Sequence, residues 1–134
     1  MSILDVRKAL EVELNSMSPA LATSWENDEY TPIVGTAYQK VYLMTAQPDD
    51  FEFGPVYRQN GVFQITLLYP GKGGVLTANT RAKLIQDTFK RGNTYTNNSV
   101  DVIISKTPYI KTGSRMDDRW SVVVDVEYFA HITS

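Results

Sequence analysis

Cysteine is absent from this chain, histidine occurs once, and no apolar run approaches the length of a membrane span. Without thiols there is no disulfide framework, no thiolate zinc site and no cysteine nucleophile, an absence that suits a reducing cytosol. His131, near the end of the last predicted strand, cannot build a histidine-rich metal site within one subunit and reads as a surface or edge residue. Spanning a bilayer takes about 20 apolar residues, and the opening Met1-Ser2-Ile3-Leu4-Asp5 lacks the charged and apolar blocks of an export signal. Neither a cofactor nor a membrane is expected.

Catalytic motifs are equally scarce. Pro70-Gly71-Lys72-Gly73-Gly74 stands between a strand and a helix, where phosphate loops occur, but no Ser or Thr follows Lys72 to hold magnesium, so it reads as a flexible turn. No Gly-x-Ser-x-Gly elbow is present. The pairs Asp49-Asp50 and Asp117-Asp118 are the remaining candidates, able in principle to bind a hard cation or do acid–base work. Adjacent acids in turns are usually solvated, so a divalent-metal enzyme is kept as the alternative of another class, and a non-enzyme is expected.

What the chain does have is segregated charge. Residues 1–71 carry 4 Lys/Arg and 9 Asp/Glu, residues 72–119 carry 9 and 4, and residues 120–134 carry two acids. The balances are −5, +5 and −2, which together make the −2 of the whole chain. Two unlike patches on one surface let copies associate head to tail, and such contacts make rings when they close. Basic residues with Tyr95 and Tyr109 among them also raise nucleic-acid binding, but a dedicated binder is a net basic domain and this one is acidic.

With 134 residues, 43% of them hydrophobic, the chain can bury a real core as one domain, residues 1–134. Ile3, Val6, Leu10, Leu14 and Met17 recur at helical steps behind the cap Ser2, with Pro19 beyond the end. Ala78, Ala82, Ile85 and Phe89 predict a second helix, stopped by Gly92. Arg81, Lys83, Lys90 and Arg91 cluster on or beside it. Strands are expected over 39–46, inside the sheet, and over 57–69, with Gly61 marking a bulge or bend. Val100, Val102 and Ile104 alternate in another, and Trp120, Val122, Val124, Val126 and Tyr128 form the inward face of the last. Residues 21–30 suggest a short edge strand whose acids Glu26, Asp28 and Glu29 discourage further pairing. The fold class is α+β: a two-layer domain with a mostly antiparallel or mixed sheet of about five strands and two helices packed on one face.

Two connections look built for protein partners. Residues 47–56 set Phe51 and Phe53 among Asp49, Asp50, Glu52, Gly54 and Pro55, where the rings either plug the connection locally or insert into a neighbour. Residues 107–118, with Tyr109, Ile110, Lys111, Arg115 and Met116, exceed what a tight hairpin needs and read as an extended arm. The interface residues expected are therefore Phe51, Phe53, Tyr57 and Arg58 for a neighbour or tube, Tyr109, Lys111, Arg115 and Met116 for the arm, and Arg81 and Lys83 for charge pairing between subunits.

Landmarks along nearly the whole chain carry a family likeness. Ser24-Trp25-Glu26-Asn27, Pro32, Tyr38-Gln39 and the run Tyr57-Arg58-Gln59-Asn60-Gly61-Val62-Phe63-Gln64-Ile65 are followed by Tyr69-Pro70-Gly71, Arg81-Ala82, Phe89-Lys90-Arg91-Gly92, Thr107-Pro108 and Tyr128-Phe129-Ala130. In order and spacing they resemble the tail-terminator-like proteins of long-tailed bacteriophages. The resemblance implies a small α+β protein forming a six-membered ring on the last ring of the tail tube. Such a ring stops tube growth and joins tail to head, with no enzyme activity or cofactor. It implies as partners further copies of the chain, the major tail tube protein and a head–tail connector or stopper. It also implies a place at the head-proximal end of the virion tail, after assembly in the bacterial cytoplasm. DNA would pass through without specific binding. A neck component that joins tail to head without controlling length is the alternative within the same class.

Overall fold

A computed structural model describes residues 3–17, 21–26, 31–33, 35–48, 50, 54–71, 76–116 and 118–133. Helix α1 spans Ile3–Asn15 and α2 spans Leu76–Thr88. The strands are β1 (Ala22–Ser24), β2 (Tyr38–Thr45), β3 (Val56–Pro70), β4 (Thr94–Asn97), β5 (Val100–Ile104), β6 (Tyr109–Ile110), β7 (Ser114–Met116) and β8 (Arg119–Thr133).

The apolar stripes behave as their spacing predicts. Val6, Leu10 and Leu14 of α1 are buried with Met17 just past its end, as are Ala78, Ala82 and Ile85 of α2 with Phe89. Ser2 and Pro19 lie outside the described residues. Gly92 ends the second helical segment at φ +89°, a conformation that favours glycine, and its N–H donates to the Ile104 carbonyl at 2.8 Å.

One mixed sheet runs in the order β1-β2-β3-β8-β5-β4, with β6 and β7 also paired to β8. Among the described residues, only β1 and β2 pair in parallel. The sheet thus has eight strands rather than about five. The additions β4, β6 and β7 hold two to four residues each, too few to display an alternation. A two-residue turn at Asn98 and Ser99, φ 49° and 66°, returns β4 into β5. Positive φ at both central residues matches the twist of hairpin strands.

β3 and β8 form the spine, paired without interruption from Val56 opposite Thr133 to Pro70 opposite Arg119. Gly61 therefore marks no bulge; it pairs with Thr45 on one side and Tyr128 on the other. Glycine serves here for close approach: a Cβ would meet the Met44 carbonyl oxygen and the Tyr128 hydroxyl.

Phe63, Ile65 and Leu67 stand opposite Val126, Val124 and Val122, and this inner face carries both helices, as expected. α1 lies against β4 and β5, α2 against β8, β3 and β6. Each fully buried apolar side chain contributes about 1.5–3 kcal/mol. Phe89 sets its edge against Phe63 (6.2 Å) and Tyr95 (5.5 Å), and the Tyr95 hydroxyl donates to the Thr88 carbonyl at the end of α2.

α1 also ties the two edges of the sheet. Asn97 at the end of β4 donates to Asp5 at 3.2 Å, while Arg7 donates to Glu26, just after β1, at 3.0 Å. The same Glu26 oxygen accepts the Leu43 backbone N–H at 3.0 Å. The edge strand is thus present, but Glu26 satisfies the exposed edge of β2 rather than simply repelling a partner; Asp28 and Glu29 lie outside the described residues. The arm is not extended: β6 and β7 run back along β8 between Arg119 and Asp125, where β5 does not reach. Those backbone groups would otherwise form an open edge.

Candidate protein interface

The outer face of the sheet, turned away from both helices, carries alternate residues of β2, β3 and β8. Strand register sets Tyr42, Gln64, Asp125 and Tyr109 in one row across β2, β3, β8 and β6. Gln64 donates to Asp125 Oδ1 at 3.1 Å, and Lys111 Nζ lies 3.0 Å from Asp125 Oδ2. Tyr42 and Tyr109, at the row's ends, are 51% and 65% exposed. Lys106 pairs with Glu127 at 3.4 Å, and a cavity of about 240 Å³ lies between that pair, Val62 and Tyr109. Exposed pairs of this kind stabilise little, about 0–1 kcal/mol. Their effect is to pair the charges of Asp125 and Glu127 between two aromatic rims.

The ends of this face are more firmly built. At one, the Arg119 guanidinium sits 4.9 Å from the Tyr38 ring centre and donates to the carbonyls of Thr36 (2.6 Å) and Ile33 (2.8 Å). At the other, Arg58 lies 4.6 Å over Phe129 and its Nε approaches His131 Nε2 at 3.5 Å.

Among the described residues, the groups whose titration is shifted owe it mainly to burial and to backbone hydrogen bonding. Burial pushes the Tyr128 hydroxyl up to about 12 and raises Tyr69, Tyr95 and Glu11 above their ordinary values. Burial lowers Arg81, and the Leu43 N–H lowers Glu26. Tyr69 and Arg81 act on one another, and Glu11 and Glu26 share the charge of Arg7. Among the described residues, no group of three or more His, Asp or Glu could hold a metal, and no helix is long and apolar enough to cross a membrane. Asp50 and Asp118 are both exposed; their neighbours Asp49 and Asp117 lie outside the described residues.

The expected interface residues are distributed unequally. Phe51 and Phe53 fall outside the described residues. Tyr57 and Arg58 point to opposite faces, Tyr57 against the core and Arg58 on the outer face. Arg81 is only 5% exposed, so its charge is not displayed on an open helix face, whereas Lys83 is exposed and bonded to Asp87 at 2.9 Å. Tyr109 and Lys111 meet the outer face, and Arg115 is exposed opposite Trp120. Met116 closes β7 opposite Arg119. Sequence reasoning missed Tyr42, Gln64, Asp125 and Arg119; the available signal was polar residues at alternate positions of otherwise apolar strands.

A family model described as a phage tail terminator protein matches residues 5–128. A chain from the virion of a native gene transfer agent particle superposes with TM-score 0.67 at 14% identity, covering 98% of this chain and 97% of that one. Another solved chain, whose name states no function, superposes with TM-score 0.78 at 23% identity over 100% and 99%. At such identities these two likenesses concern the fold. No curated protein matches.

Proposed function

The chain belongs to the phage tail terminator protein family, and from that premise we propose that it caps the tail tube as a six-membered ring. In this reading the ring ends tube polymerisation and presents the surface on which the tail joins the head. A structural, non-enzymatic tail component follows from the family itself. The family match over residues 5–128 is the observation that carries the reading. The outer sheet face, with polar networks between aromatic rims and no acid–base pair, is chemically suited to protein contact rather than turnover.

The ring's partners are further copies of the chain, the tail tube protein and a head–tail connector, and its place is the head-proximal end of the tail. Assembly takes place in the host cytoplasm. Six copies at −2 each sum to −12, a charge that disfavours gripping the DNA passing through.

Deleting the gene from the phage or prophage that carries it, and measuring tail lengths by negative-stain electron microscopy, tests the reading. Overlong, variable tails that revert when purified protein is added support it. Tails of normal length that fail to join heads reassign the protein to the neck, and intact infectious particles remove it from assembly.

A further inference from the structure

At the end of the sheet where β8 begins, a cavity of about 450 Å³ opens between α2 and the β6–β7 connection. Trp120 and Ile110 supply apolar wall, with the Lys111 stem beside them, while Asn79 and Thr112 offer it N–H and O–H groups. Gly113 lies so close on the Trp120 ring that a Cβ would stand 2.6 Å from it. Beneath that glycine the indole N–H is buried and meets no acceptor among the described residues. A buried donor left unmet in a donor-rich site suits an incoming chain that brings acceptors.

Such a chain exists in this sequence. Residues 46–55 hold Asp49, Asp50 and Glu52 with no Lys or Arg, alongside Phe51 and Phe53. Asp50 is exposed, and Arg115, exposed opposite Trp120, adds positive charge beside the cavity. The two parts cannot meet within one molecule. Residues 46–55 join the end of β2 to Val56, whereas Trp120 pairs with Tyr69, about 43 Å further along the strand. A ten-residue connection tied at both ends extends at most about 18 Å before it must return.

We infer that the β2–β3 connection of one copy seats in the Trp120 cavity of a second copy, its carboxylates meeting Arg115. The contact joins two different patches, so it is heterologous and closes into a ring or propagates. This deepens the ring reading and rests on it.

Because the chain lacks cysteine, Asp50→Cys and Thr112→Cys introduce the only thiols. Mixed and oxidised, the two single variants should form a disulfide dimer across variants and none within either. The double variant should give a ladder of covalent multimers on non-reducing electrophoresis, with assembly followed by light scattering. Assembly without this disulfide would overturn the pairing and leave the ring reading standing. An Asp50→Cys disulfide with itself would overturn it as well, since the contact would then be isologous. A chain that stays monomeric at every soluble concentration and also forms no oligomer on tails lacking it would overturn both. Added salt should weaken assembly several-fold, and assembly indifferent to salt would sink the acid-to-base contact.

Discussion

Gly61 lies opposite Tyr128 across β3 and β8, and the Tyr128 hydroxyl fills the space a Cβ at Gly61 would need, 2.5 Å from where it would stand. That hydroxyl is buried and bonds to nothing among the described residues. Gly61→Ala is expected to destabilise by about 1–3 kcal/mol through overpacking. Tyr128→Phe removes an unmet polar group and should be neutral or stabilising by about 1 kcal/mol. The double variant should recover part of the Gly61→Ala loss, so a denaturant-melt cycle with no coupling would refute the packing account.

Glu26 makes stability depend on acid. Its carboxyl titrates below the ordinary 4.5, chiefly because it accepts the Leu43 N–H. A depressed carboxyl contributes stability that is present above pH 4.5 and lost as pH falls through its folded value. Glu11, raised by burial, opposes this: its burial cost is present above its folded value and relieved below it. Glu26→Gln should cost about 1 kcal/mol at neutral pH and flatten the fall in melting temperature below pH 4.5. A variant with an unchanged acid profile would show that Glu26 does not guard the edge.

Arg119 is bonded to two carbonyls and stacked on Tyr38, which lysine cannot reproduce. Arg119→Lys should destabilise by about 1–3 kcal/mol in chemical denaturation, because the Ile33 and Thr36 carbonyls lose a planar fork of donors. Equal stability would mean that the fork does not anchor Ile33 and Thr36.

Tyr42→Ser and Tyr109→Ser alter exposed side chains and should leave the melt within about 0.5 kcal/mol. If the outer face is an interface, phage titre should nevertheless fall when these variants replace the native protein. Full titre would place the contacts elsewhere.

Charge reversal separates Lys83 from Arg81. Lys83→Glu should leave the fold intact and weaken assembly if α2 meets an acidic neighbour, with restoration by a compensating change on that neighbour. Arg81→Glu should instead lower the melting temperature, since the side chain is 5% exposed. Assembly indifferent to Lys83→Glu would remove α2 from the contact.

Both helices and the long strands were legible in the sequence because they depend on short-range spacing and on residue types. Val6, Leu10 and Leu14 declare a helical face wherever the helix docks, as Phe63, Ile65 and Leu67 declare one face of a strand. The short strands were not legible. β6 and β7 exist because β8 extends past β5 and needs partners, a demand arising from residues far away in sequence. Likewise, the polar row from Tyr42 to Tyr109 is assembled from four strands by register alone.

By itself, then, the sequence determined which segments are helical or extended, which faces are apolar and which chemistry is unavailable, since periodicity and composition are local properties. Only the tertiary structure decided that Arg81 is buried, that the expected arm lies along β8 and that Gly61 makes room for Tyr128. Burial and strand pairing depend on which distant residues come to lie alongside, and no local pattern encodes that neighbour.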